Sequence, residues 1–154
     1  MKIELDLVEP VQDSSPEELA KIILARFGLM PKKTDGTAKM YNLLLELSER
    51  KKEANKLKKP EKAVMTVEEM GLFAGIKRQT MYDYLGRWLV INVLKKTSFV
   101  SVGKIVTGYE LNGSNMESAF KKAEFVIKGH LEQSLDMVRL LQNEVKREKL
   151  KSQS

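Results

Sequence analysis

Charged and apolar residues alternate at the start of the chain, and then apolar residues recur at steps of three and four along most of its length. In KIELDLV, Ile3, Leu5 and Leu7 fall on one side and Lys2, Glu4 and Asp6 on the other, which predicts a short half-buried strand. SSPEELAKIILARFG carries Leu19, Ile22, Ile23 and Phe27 at helical spacing. Ser15 suits the cap, Pro16 the first turn, Glu18 the capping box, and Gly28 the stop. LMPKKTDGT reads as a loop. The next helix, within residues 38–59, has Met40, Leu43, Leu44 and Leu47 as its stripe. Beyond Ser48 only Leu57 is large and apolar, so this end is expected to project or fray before Pro60 stops it.

A very short strand is expected at Ala63–Met65. Thr66 then caps a helix over 66–74, with Glu69 completing a capping box. A turn and a second helix over 78–88 follow. Residues 93–112 read as two strands around Ser101–Lys104, with Gly103 free to take a positive dihedral. In the last segment Ser114 and Glu117 suit another capping box. Met116, Phe120, Ala123, Ile127, Leu131, Ser134, Val138, Leu141 and Val145 then recur at steps of three or four. The pattern predicts a helix over 114–149, about 50 Å long at 1.5 Å per residue, with Gly129 as its one candidate break. So long a helix has no way to bury its far end on a core this small, and its natural partner is a second copy of itself. Phe120, Ile127, Leu131, Val138, Leu141 and Val145 would form that dimer seam. The alternative is a helix folded back, or broken at Gly129, within one subunit. KREKLKSQS reads as a frayed tail.

Composition sharpens this picture in two places. Hydrophobic residues make up 42% of the 154 residues, enough for a real core. The net charge of +6 is unevenly spread. Residues 1–30 carry 3 basic and 6 acidic groups, residues 31–60 carry 9 and 4, and residues 77–104 carry 6 and 1. Two blocks of +5 result, one on the second of the two short helices and the hairpin. Such blocks steer polyanions, although lysine-rich solvated faces are also common. There is no cysteine, so disulfides, thiolate nucleophiles and cysteine zinc sites are excluded. No apolar run approaches a membrane span, and MKIELDLVEP lacks a signal-peptide block, so a cytoplasmic protein is expected.

The two short helices carry the most chemistry. Met70, Ala74, Ile76, Met81, Tyr84, Leu85 and Trp88 fall where two crossing helices need core residues. Gly71 is small where they would approach most closely, and Gly75 can end the first helix in a left-handed turn. The outward face of the second shows Lys77, Arg78, Gln79, Tyr82, Asp83, Gly86 and Arg87. A helix fits the major groove of B-DNA. There Gln79 can pair bidentately with adenine, Arg78 can fork to guanine or hold a phosphate, and Tyr82 can pack on a thymine methyl. Asp83 could accept from cytosine or brace Arg87.

GLFAGIKRQTMYDYL resembles the helix-turn-helix of prokaryotic and archaeal winged-helix transcriptional regulators. Their pattern runs small residue, three residues, glycine, apolar residue, polar turn and an RQTVYRYL-like recognition helix. The resemblance is close over about 20 residues and looser over 38–112. It implies a mainly α fold with a small β hairpin, a winged helix-turn-helix followed by a long C-terminal dimerisation helix. The chain then divides into a strand and helix (1–37), a DNA-binding domain (38–112) and a dimerisation helix with tail (113–154). It further implies sequence-specific binding of double-stranded DNA as a homodimer, regulating transcription. Lys77, Arg78, Gln79, Thr80, Tyr82 and Arg87 would contact DNA, and Lys95, Lys96 and Lys104 would lie in or near the wing. Those lysines either reach the DNA backbone or are solvated edge-strand charges that discourage aggregation. Two departures stand out: Lys77 holds the place of the usual capping Ser or Thr, and Gly71 that of a commoner alanine. The rival reading is a winged-helix adaptor that contacts only protein.

No enzyme site emerges. His130, the only histidine, sits beside Leu131 on the long helix, and no metal or cofactor is implied. An effector pocket between helix 15–28 and the long helix is conceivable, but no residue specifies its ligand. The N-terminal strand has no assigned role.

Overall fold

The computed structural model describes residues 5–30 and 39–153. It is a mainly helical fold with one small antiparallel hairpin. The order is α1 (Pro16–Arg26), α2 (Met40–Leu57), a 3-10 turn (Pro60–Ala63), α3 (Val67–Ala74), α4 (Arg78–Val90), β1 (Leu94–Ser101), β2 (Lys104–Leu111) and α5 (Met116–Ser152). The loop expected at 29–37 falls mostly outside the described residues, as do Lys2, Ile3 and Glu4.

Residues 5–8 are irregular and exposed, not a strand. A strand needs a ladder, and the partner here is a helix end: the Asp6 N–H donates to Ala25 O at 3.2 Å, and Arg26 donates to Val8 O at 2.8 Å. Helix α1 starts as expected, with Ser15 Oγ accepting from the Glu18 N–H. Its buried face, however, is Ala20 and Leu24, joined by Leu29. Small Ala20 lets α1 lie close on α2. This rotates Ile22, Ile23 and Phe27 to the half-buried edge and leaves Leu19 exposed.

Helix α2 does not fray after Ser48. The face Met40–Leu43–Leu44–Leu47 continues through Lys51 and Ala54, both buried. The 3-10 turn and β2 cover this extension, and Lys51 is ion-paired there with Glu110. Arg50 ties the same helix to α3, 3.0 Å from Glu46 and 2.6 Å from Glu69. Burial opposes ionisation of Glu69, but the bonds from Arg50 and Thr66 outweigh it and hold its carboxyl below the ordinary range. The strand expected at Ala63–Met65 shrinks to one bridge, in which Met65 and Tyr109 exchange two 2.8 Å backbone bonds. Ala63 belongs instead to the 3-10 turn.

One core joins these elements. It runs from Ala20 and Leu24 through Leu43, Leu47, Met70, Met81, Leu85 and Trp88 to Leu94 and Leu111. Ala119 and Ala123 of α5 close it. Helix α5 is capped one residue later than expected: Asn115 and Ser118 form the reciprocal capping box in place of Ser114 and Glu117. It passes Gly129 unbroken and stays helical to Ser152, so the tail is not frayed at Lys146. Phe27 and Phe120 meet edge-on at 4.9 Å between ring centroids. From Lys128 onward no described residue of α5 is buried. That distal stretch extends about 37 Å at 1.5 Å per residue. No helix among the described residues is long and apolar enough to cross a membrane.

Candidate nucleic-acid interface

The candidate interface is built by α3, α4 and the hairpin. Thr66 and Glu69 form both halves of the capping box that starts α3. Gly75 ends it at φ 69°, and the Ile76 N–H donates back to Gly71 O at 2.9 Å. A Cβ on Gly71 would sit 2.8 Å from Ile76 O, so the absence of a side chain is what lets the turn close. Met70, Gly71, Ala74, Met81, Leu85 and Trp88 are buried, with Ile76 and Tyr84 packed at their edge. This fixes the rotation of α4 and points its other side at solvent.

Lys77, Arg78, Gln79, Thr80, Tyr82 and Asp83 are all exposed on that side, and Gly86 has open space above it. Lys77 occupies the N-cap position without a side-chain bond to the helix, so no side chain covers the first-turn amides. Arg78 is not idle. It lies 3.1 Å from Glu68 of α3, donates to the Tyr82 hydroxyl at 3.5 Å, and stacks 5.8 Å from the Tyr82 ring. Hydrogen bonding to Tyr82 and the Glu68 charge both raise its pKa above the ordinary value.

Arg87 stands apart from this group. It is half-buried, donates to Met30 O at 3.1 Å and lies over the Tyr84 ring at 5.5 Å. It holds the end of the α1 segment rather than pairing with Asp83.

The hairpin register sorts its lysines. Lys95 opposes Glu110, Lys96 opposes Tyr109, and Ser101 opposes Lys104. Opposed residues share a face and successive residues alternate, so Lys95 and Lys104 are on one face and Lys96 on the other. Lys95 is drawn to Glu110 at 3.8 Å. Lys96 shares its face with Tyr109, whose hydroxyl pKa is raised by burial and by neighbouring Tyr82. Lys96 is therefore the hairpin lysine on the α4 side. The two-residue loop has φ of 50° at Val102 and 73° at Gly103. Val100, Val102 and Ile105 are exposed at this tip, Val102 to 98%.

Sequence reasoning missed Glu68, because its meeting with Arg78 depends on how α3 and α4 cross and no spacing rule encodes it. It also grouped Lys95 with Lys96, although adjacent strand positions point apart. Among the described residues no group of three or more His, Asp or Glu is placed to hold a metal ion. Compared with protein-family models, curated proteins and solved structures, the chain matches none.

Proposed function

We propose that the chain is a winged helix-turn-helix regulator that binds double-stranded DNA as a homodimer, with α4 in the major groove and the hairpin as its wing. The observation that carries this reading is the exposed first half of α4. Polar and cationic side chains, Lys77 to Thr80 and Tyr82, stand at a helix start with no side-chain cap. The core behind it is packed, so the face is presented rigidly. Gln79 and Tyr82 read base edges in this scheme, and Arg78 exchanges Glu68 for a phosphate or a guanine. Lys77 and Lys96 contact the backbone. Binding would alter polymerase access to the site.

The test is selection of duplex DNA by the purified protein, followed by titration against salt. Three cations per subunit (Lys77, Arg78 and Lys96) make up to six phosphate contacts per dimer, so the log–log salt slope should approach about −5. Gln79→Ala should blunt selectivity, and Lys96→Ala should weaken all sequences alike. A second reading, an adaptor for protein, draws on the aliphatic hairpin tip and on Leu72, 82% exposed on α3. No affinity for any duplex at low salt would favour it and end the DNA reading.

A further inference from the structure

An open groove of about 390 Å³ runs between α1 and α5, lined by Ile23, Phe27, Met116, Glu117 and Phe120. The same face of α5 continues past the body as an apolar stripe. Phe120 and Ile127 are partly covered by the subunit's own core, while Leu131, Leu135, Val138, Leu141 and Val145 are exposed. Groove and stripe are thus two halves of one surface, the first concave and the second convex.

We infer that the groove is filled by the distal half of α5 from a second copy, running antiparallel. This rests on the homodimer reading and adds to it the direction and register of the pair. With the twofold axis near Glu132, the partner's Val145 packs on Phe120 and the partner's Val138 on Ile127. The flanking charges agree. Glu117 and Glu124 border the proximal half, and Arg139 and Lys146 border the distal half on the same side; within the subunit Glu117 pairs with Lys121 at 3.5 Å and Arg139 with Asp136 at 2.9 Å, exposed pairs that are free to exchange. In an antiparallel pair like flanks meet, so Glu117 comes beside the partner's Lys146 and Glu124 beside the partner's Arg139. A parallel pair would join only the distal halves, because each proximal half already has its own α1 alongside, and it would leave both grooves open.

The chain has no cysteine, so introduced ones report without interference. The experiment is cross-linking of full-length Glu117→Cys, Lys146→Cys and the double variant with a short bifunctional maleimide, alongside light scattering. The inference expects a mass about twice the 17.6 kDa chain, efficient cross-linked dimer from the double variant or from the mixed single variants, and little from either single variant alone. Val145→Glu, a change on an exposed position, should abolish the dimer and leave the helical circular dichroism signal in place. A dimer in which Lys146→Cys links to itself is parallel; the homodimer reading then stands and this inference falls. A dimer that links in neither way leaves the groove to another occupant and also overturns it. A 17.6 kDa species at high concentration removes the homodimer reading and this inference together.

Discussion

Gly71 and Gly86 offer one chemical change, glycine to alanine inside a helix, at two sites where only the surroundings differ. In a helix interior alanine is favoured over glycine by about 1 kcal/mol. At Gly86 a new Cβ meets nothing within 4 Å. Gly86→Ala should therefore collect the propensity gain and raise stability by about 0.5–1 kcal/mol. At Gly71 the Cβ would sit 2.8 Å from Ile76 O, a backbone atom with no rotamer to escape into. Relief requires the turn to shift, which costs about 1–3 kcal/mol as overpacking. It also weakens the Ile76 N–H bond to Gly71 O, worth about 1 kcal/mol. Against these the propensity gain loses, and Gly71→Ala should lower stability by about 2 kcal/mol. For a chain of this size that is a melting point lower by roughly 4–8 °C. Urea and thermal unfolding followed by circular dichroism read both variants. If Gly71→Ala proves as stabilising as Gly86→Ala, the turn between α3 and α4 does not close as tightly as described. The rotation of α4, on which the candidate interface depends, would then be wrong.

Val102 holds φ 50° while almost wholly exposed, so Val102→Asn, which creates the Asn-Gly loop favoured in such hairpins, should add about 1 kcal/mol in urea unfolding. Glu69 has a depressed folded pKa, so its ionised form adds stability above the unfolded value, and that contribution is lost as pH falls through the folded value. Glu69→Gln should accordingly be less stable than wild type at pH 7, with the gap closing as the pH is taken below about 4; a gap that widens in acid would contradict the bonding at Glu69. Glu68→Gln should leave unfolding unchanged, since exposed ion pairs contribute little. It should tighten DNA binding several-fold and steepen the salt slope, and weaker binding would show that Glu68 orders Arg78 for contact rather than competing for it.

What could be read in advance was whatever short stretches decide for themselves. Thr66 with Glu69 and Gly75 bound α3 within ten residues, and the core positions of α4 follow from its own periodicity. The hairpin turn was placed by Gly103 in the same way. Longer-range facts were hidden. Lys51 looked like part of a solvated helix end because its partner, Glu110, lies 59 residues away. The buried face of α1 shifted to Ala20 and Leu24 because a neighbour, α2, selects the small residue. Residues 5–8 alternate like a strand yet bond to the end of α1. The start of α5 slipped by one because Ser114 and Asn115 are both good caps and the sequence does not rank them. In the candidate interface, exposure of Lys77, Arg78, Gln79 and Tyr82 was legible from helical spacing. The engagement of Arg78 by Glu68 and of Arg87 by Met30 was not, since both depend on the packed angle between elements.

These engagements change what the local charge means. Residues 77–104 carry 6 basic groups and 1 acidic one, but Arg87 is committed to Met30 O, and Lys95 faces Glu110. Arg78 begins paired to Glu68, and Asp83 shares its face. Lys77, Lys96 and Lys104 have no carboxylate partner among the described residues. A surface so partly neutralised draws less on the sequence-independent term that dominates non-specific binding than its local charge alone suggests. Exchange of Glu68 for a phosphate would cost little, because both partners of the pair are more than half exposed and water takes up the freed carboxylate. On the proposed reading, selectivity would therefore rest on the neutral side chains Gln79 and Tyr82, with Arg78 free to move from Glu68 to the DNA once they fit.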